Sequence, residues 1–492
     1  MIYRSTRGGE ERLTAAQAVI RGISENGGLF VPLEMPKLKV SIDEIKDMNY
    51  QQVAKMVIGE FFDDYTDEEI DYCVDSAYKF GEKFEKEEIV PVVKVGDCNF
   101  IELYHGRTAA FKDMALSILP YLLRTAVKKQ NEDKKICILT ATSGDTGKAA
   151  LEGFANVENT EIMVFFPEDG VSQVQRQQMV TQTGDNTEVF AIKGNFDDAQ
   201  TGVKKIFGDR EFAKEIEKKG YRFSSANSIN IGRLIPQVAY YVYSYGQLVK
   251  TGRIKNGEEI NVTVPTGNFG NILAAYYAKQ MGIPINRFIC ASNRNKVLTD
   301  FIRTGNYDIN REFHLTESPS MDILISSNLE RLLYHLSGED TELISQYMKS
   351  LEDNKAYSVD KEIKNGLEEF YGGFADEEET KETIRNLYNE KHYLVDTHTA
   401  VAYKVYKDYV EETGDKRVTL IASTASPYKF AESVLDSIGL PKEENGFKAI
   451  KALNKETGVK IPEGLKELDK KEVLHDEVIA KEDMKKAVIS KL

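Results

Sequence analysis

The sequence predicts an α/β fold, a buried parallel sheet with helices on both faces. Two observations predict it. From Asn99 onward, short apolar or β-branched runs alternate with stretches of helical period. Most of these runs empty into Gly, Asn, Ser or Thr before the helical period begins, as strands of a parallel sheet covered on both faces do.

Taken in order, residues 1–95 read as a mixed, largely helical region with acidic stretches such as Asp63–Asp71. The strand candidates are Phe100–Leu103, Ile136–Thr140, Glu161–Phe166, Glu188–Ile192, Tyr221–Ser224, Ile260–Val264, Arg287–Ala291 and Val418–Ser423. Between Asp308 and His392 the strand signal stops. Asp340–Glu362 and Asp376–Tyr388 are acidic and helical, so 308–392 is expected to be a helical insert without strands. The tail from Pro441 is rich in Lys and Glu and is expected to pack as peripheral helices.

Composition bounds the function. A chain of 492 residues has the length of ~3 domain equivalents. A net charge of −15, from 64 basic and 79 acidic residues, argues against nucleic acid or an anionic membrane as main partner. The cysteines Cys73, Cys98, Cys137 and Cys290 show no C-x-x-C spacing and the histidines no H-E-x-x-H pair, so no metal site is expected. Reduced thiols, a polar start at Met1–Arg7 and no transmembrane-length apolar run lead to an expected cytoplasmic location.

Three βα junctions carry chemistry. In VTVPTGNFGNILAAYYAK (262–279), a strand runs into Gly267-Asn268-Phe269-Gly270-Asn271 and then a helix. Free N–H groups and the positive end of a helix dipole suit a phosphate there. The loop lacks the Lys-Ser/Thr of a P-loop and the spacing of a dinucleotide fold, so neither ATP nor NAD is indicated. In LYHGRTAAFKD (103–113), Lys112 sits beside Phe111 at a helix start, where an apolar setting lowers an amine pKa as a Schiff-base lysine requires. In ICILTATSGDTGK (136–148), a strand opens into Thr142-Ser143-Gly144-Asp145-Thr146-Gly147, hydroxyls at a helix start that suit a carboxylate or phosphate. Each segment alone also fits plain structure: a glycine turn, a surface lysine, a capped helix.

Together, and in this order, the segments resemble the pyridoxal-phosphate enzymes of the tryptophan-synthase-β type, and more closely the threonine synthase family. GISENGGLFVP (22–32), SANSINIGR (225–233), SPSMDI (318–323) and STASPYKF (423–430) extend the resemblance over residues 3 to 445. Two positions depart from the family pattern, which usually carries proline at Arg107 and histidine at Ser426.

The resemblance implies two parallel-sheet subdomains forming a catalytic core over 96–307 and 393–440, with a mobile part at about 125–235. It implies pyridoxal 5′-phosphate bound to Lys112, its phosphate cradled by Gly267, Asn268, Phe269, Gly270 and Asn271. Thr424 would face the pyridine nitrogen and Asp145 the ring hydroxyl. Thr142, Ser143 and Thr146 would hold the substrate carboxylate, and Asn227, Ser228 and Arg233 its phosphate. Without the resemblance, Thr424 reads equally as a capping hydroxyl, and Asn227 to Arg233 as a capped helix with one surface arginine.

The implied reaction converts O-phospho-L-homoserine and water to L-threonine and inorganic phosphate, in a monomer or weak homodimer. A threonine or serine dehydratase on the same fold would not need the second phosphate site. A nicotinamide dehydrogenase would need G-x-G-x-x-G after the first strand. A regulatory binder would lack the lysine.

Overall fold

The computed structural model describes residues 1–492. Its strands are β1 (Tyr3–Ser5), β2 (Phe30–Pro32), β3 (Val92–Val95), β4 (Cys98–Glu102), β5 (Lys135–Ala141), β6 (Thr160–Pro167), β7 (Thr187–Lys193), β8 (Tyr221–Ser224), β9 (Ile260–Pro265), β10 (Ile285–Ser292), β11 (Asn306–Asp308), β12 (Ala356–Ser358), β13 (Phe370–Phe374), β14 (Thr419–Ser423) and β15 (Val478–Ala480).

Two sheets organise the molecule. The larger has the order β13-β10-β9-β14-β4-β3 and is parallel except at its β3 edge. The smaller, β15-β7-β6-β5-β8, is parallel throughout. Their central strands are apolar runs because helices cover both faces. All residues of β9 (INVTVP) and of β14 (TLIAS) are buried, and so are all but Glu161 of β6 (TEIMVFFP). The chain leaves the large sheet after β4, builds β5–β8, and returns at β9 through the helix Ile231–Lys250. That helix is buried almost all round, as expected where Leu, Val and Tyr occupy every face.

The eight strands read from the sequence are all present, and two expectations need correction. The segment 308–392 is not strand-free. It contains β12 and β13, and β13 forms an edge of the large sheet through parallel pairing with β10. Its FYGGF sequence hides the strand, because two glycines leave no apolar run to read; Val405 and Thr299 pack where their side chains would be. The tail is not merely peripheral helix: β15 pairs with β7, and Met484, Ala487 and Val488 enter the core of the small sheet with Phe165 and Phe190. The region 1–95 carries the helices expected, with β1, β2 and β3 besides.

No helix is long and apolar enough to cross a membrane. The cysteines are buried and unpaired.

Candidate active site

The loops after β4, β5, β9 and β14 converge at the carboxyl ends of their strands, where ligands of open parallel sheets bind. The Lys112 loop is fastened to the loop after β14. Phe111 donates its N–H to the Thr424 carbonyl at 2.7 Å, and Ser426 donates to Ala109 at 3.0 Å. Asp113, buried, accepts from the Thr108 amide (2.8 Å) and hydroxyl (2.6 Å) and closes the turn before the lysine.

Lys112 Nζ thereby lies 3.1 Å from Ser320 Oγ, 3.6 Å from Asp145 Oδ2 and 5.2 Å from the Phe111 ring centroid. Burial lowers its pKa, and Arg233 and Lys429 push the same way against the pull of Asp145. A lowered pKa favours the neutral amine, the form that attacks an aldehyde. Asp145 behaves oppositely. Burial favours its neutral form, but Lys429 at 2.9 Å and Lys112 prevail and keep it ionised. Gln175 Nε2 donates to it at 2.9 Å. Thr142 Oγ1 accepts from the Gly144 and Gly147 amides, both at 2.9 Å, so it shapes the loop from within. Ser143 is exposed and Thr146 half-buried on the same loop, and Thr424 is buried at 5 % exposure.

The Gly267–Asn271 loop has the features of a phosphate cradle. Phe269 takes a left-handed conformation (φ 64°) at the start of the helix Gly270–Met281. The amides of residues 267 to 271 find no acceptor in the protein. Asn271 Oδ1 accepts from the Tyr240 hydroxyl at 2.8 Å and from that of Tyr241, which leaves its Nδ2 buried and without a partner. A side chain at Gly267 would place its Cβ 2.5 Å from the Ser320 carbonyl, so only glycine lets the two loops meet. These unsatisfied donors at a helix N-terminus fit the phosphate of pyridoxal phosphate, and Lys112 fits its aldehyde.

Arg233 is buried at 4 % exposure with no carboxylate partner. Its Nη1 donates to the Ala226 carbonyl at 3.0 Å, and its Nε has no partner. Burial draws its pKa down to about 10. Asn227 and Ser228 are half-buried in the turn before it, and Asn328 Nδ2 reaches Ser228 Oγ at 3.4 Å. The same Asn328 donates its amide N–H (3.1 Å) and its Nδ2 (3.0 Å) to the Asn268 carbonyl, joining the two anion loops.

Sequence reasoning missed several of these residues. Ser320 and Lys429 lie inside SPSMDI and STASPYKF, segments singled out without a role for either side chain. His398 Nε2 accepts the Ser320 amide at 3.1 Å, and its Nδ1 bonds Asp396 at 2.7 Å. Arg331, wholly buried, ties Asn328 to the carbonyls of Ile229 and Phe30. Nothing in the local sequence marks these side chains, because their partners lie far away in the chain. Of the two departures, Arg107 is exposed and donates through Nε to the Glu82 carbonyl, and Ser426 accepts from the Tyr428 amide.

Comparison with known proteins places this geometry. Family models for the threonine synthase N terminus, the pyridoxal-phosphate dependent enzymes and the threonine synthase C-terminal region match residues 2–78, 101–424 and 399–489. The chain is 40% identical to threonine synthase-like 1 of Pongo abelii over 89% of its own length and 60% of that protein's, so it spans about three fifths of that relative. It is 34% identical to threonine synthase of Saccharomyces cerevisiae, covering 89% of each chain. The crystal structure of pyridoxal-phosphate-bound threonine synthase from Brucella melitensis superposes with a TM-score of 0.88 at 31% identity, covering 100% of this chain and 99% of that one. By these matches the chain belongs to the threonine synthase family, and its cofactor is pyridoxal 5′-phosphate.

Proposed function

We propose that this protein converts O-phospho-L-homoserine and water to L-threonine and inorganic phosphate. The observation that carries the reading is Arg233, a buried guanidinium without a carboxylate, close enough to Lys112 to depress its pKa. Unlike Arg331, whose nitrogens are all bonded, Arg233 keeps its Nε without a partner, and a guanidinium left so within reach of the catalytic lysine suits a substrate anion.

The bound cofactor supplies an electron sink conjugated to the substrate Cα. Lys112 would bind it covalently and be freed when the substrate amine takes its place, the amides and Asn271 Nδ2 of the glycine loop would hold its phosphate, and Thr424 and Asp145 would line its ring. Thr142 shapes the loop from which Ser143 and Thr146 orient the substrate carboxylate. Lys112 takes the proton from Cα, gives it up to the conjugated system and, neutral again, takes one from Cβ. Arg233, Asn227 and Ser228 receive the charge that grows on the phosphate as it leaves Cγ with its bonding pair. Lys112 then returns the Cβ proton to Cγ; water bonds to Cβ through its oxygen and its surplus proton passes to the released phosphate, and the first proton comes back through Lys112 to Cα. Ser320 accepts a hydrogen bond from the lysine and holds it between these positions.

Incubation with phosphohomoserine, assaying threonine and phosphate together, tests the reading. Equimolar release of both is expected. Deamination of threonine faster than its formation would establish a dehydratase instead.

A further inference from the structure

A second polar cavity, of about 230 Å³, lies where three parts of the chain meet. Arg107 comes from the loop before Lys112, Lys148 and Gln178 from helices of the small sheet, and Lys471 from the tail. Gly464 seats the tail against the loop so closely that a Cβ there would fall 1.8 Å from the Arg107 carbonyl.

The charges on its walls do not balance. Of the two lining carboxylates, Glu463 is engaged by Lys460 at 3.2 Å and Lys466 at 3.7 Å. Glu152 is bonded to Lys148 at 2.8 Å. Arg107 uses only Nε, toward the Glu82 carbonyl, and neither it nor Lys471 forms an ion pair. Gln178, 1 % exposed, accepts from Lys429 through Oε1 at 2.6 Å and leaves Nε2 buried without a partner. A buried amide donor with nothing to bond, beside free cations, is the wall of an anion site. Burial lowers the pKa of Lys471 and Lys148 and Arg107 lower it further, against the pull of Glu152, which a bound anion would reinforce.

We propose that this cavity binds a small tetrahedral oxyanion, as the free ion or as the head of a phosphomonoester, between Arg107, Lys471 and the Gln178 amide. The site is separate from Arg233. It touches the catalytic centre indirectly, because Gln178 bonds Lys429, and Lys429 pairs with Asp145 at 2.9 Å. Occupancy therefore fastens the tail, the small sheet and the Lys112 loop together. The proposal does not depend on the reaction assigned above.

Calorimetric titration of the cofactor-loaded Arg233→Ala protein with inorganic phosphate tests it, since that background removes the substrate-phosphate site. One saturable equivalent is expected. Adding Arg107→Gln and Lys471→Gln, both at exposed positions, should weaken it by about tenfold or more, because charge-assisted bonds are lost. Sulfate should compete and chloride at equal ionic strength should not. Glycerol 3-phosphate binding with the same dependence on the pair extends the site to phosphomonoesters; binding by phosphate alone restricts it to the free ion. Absence of saturable binding at millimolar phosphate overturns the proposal. So does binding that the Arg107→Gln/Lys471→Gln pair leaves unchanged while the cofactor absorbance shows the variant folded.

Discussion

Lys112 and Arg233 are both basic groups largely withdrawn from water, and each is expected to reveal itself by a different measurement. Borohydride reduction of the cofactor-loaded protein should fix the pyridoxyl group on the peptide containing Lys112; label on another lysine removes the assignment. Lys112→Ala should keep some cofactor through the glycine loop and lose turnover. Arg233→Ala should lower kcat/KM by about 100-fold or more, the scale of a charged hydrogen-bonding partner lost from a buried site. Arg233→Lys should do nearly as much harm, since a point charge cannot reproduce the planar fork. Wild-type turnover in either variant would place the substrate phosphate elsewhere. Both positions were legible in the sequence as members of motifs. That Arg233 has no carboxylate was not, because an absent partner leaves no mark on a linear pattern.

At the scale of elements, the site is a set of loops held in register by short polar chains. Asp396, His398 and Ser320 form one of them. His398 Nε2 accepts the Ser320 amide while Nδ1 faces Asp396, so the ring bridges the two. Ser320 Oγ favours the charged form of Lys112 by accepting from it. Ser320→Ala should therefore move the acidic limb of the pH–rate profile to lower pH and reduce kcat, with little change in KM. An unshifted profile would leave Ser320 a spacer only. The elements themselves were largely readable: every strand expected from the sequence is present, its ends displaced by no more than two residues. What escaped were β13, glycine-rich, and β15, three residues long at a sheet edge. Neither has an internal pattern, because each exists through pairing with a distant partner.

For the whole molecule, acid sensitivity has a visible source. His335 bonds the Tyr277 hydroxyl at 3.0 Å, and burial, helped by the Arg331 charge, lowers its pKa to about 4. The unfolded chain takes up this proton near pH 6.5 and the folded one only near 4. Stability from this residue is thus complete above pH 6.5 and lost as pH falls toward 4, by up to roughly 3 kcal/mol. His335→Phe should flatten that part of the stability profile in urea unfolding from pH 7 to 4. A parallel loss in the variant would assign the sensitivity to other groups. Such couplings lie beyond sequence reading, since His335 and Arg331 look like ordinary surface residues of a helix until Tyr277 and the first strands close over them.

The pairing of β15 with β7 also bears on how the protein is made. Val478 lies beside Ala191, so on the ribosome β7 is finished long before the strand that covers its edge. Through that interval an apolar edge with open N–H and C=O groups stands exposed to other nascent chains. A chain ended at Glu477 keeps every residue assigned to chemistry here. It should nevertheless accumulate as aggregate, and a soluble, fully active truncation would show that the small sheet closes without its last strand.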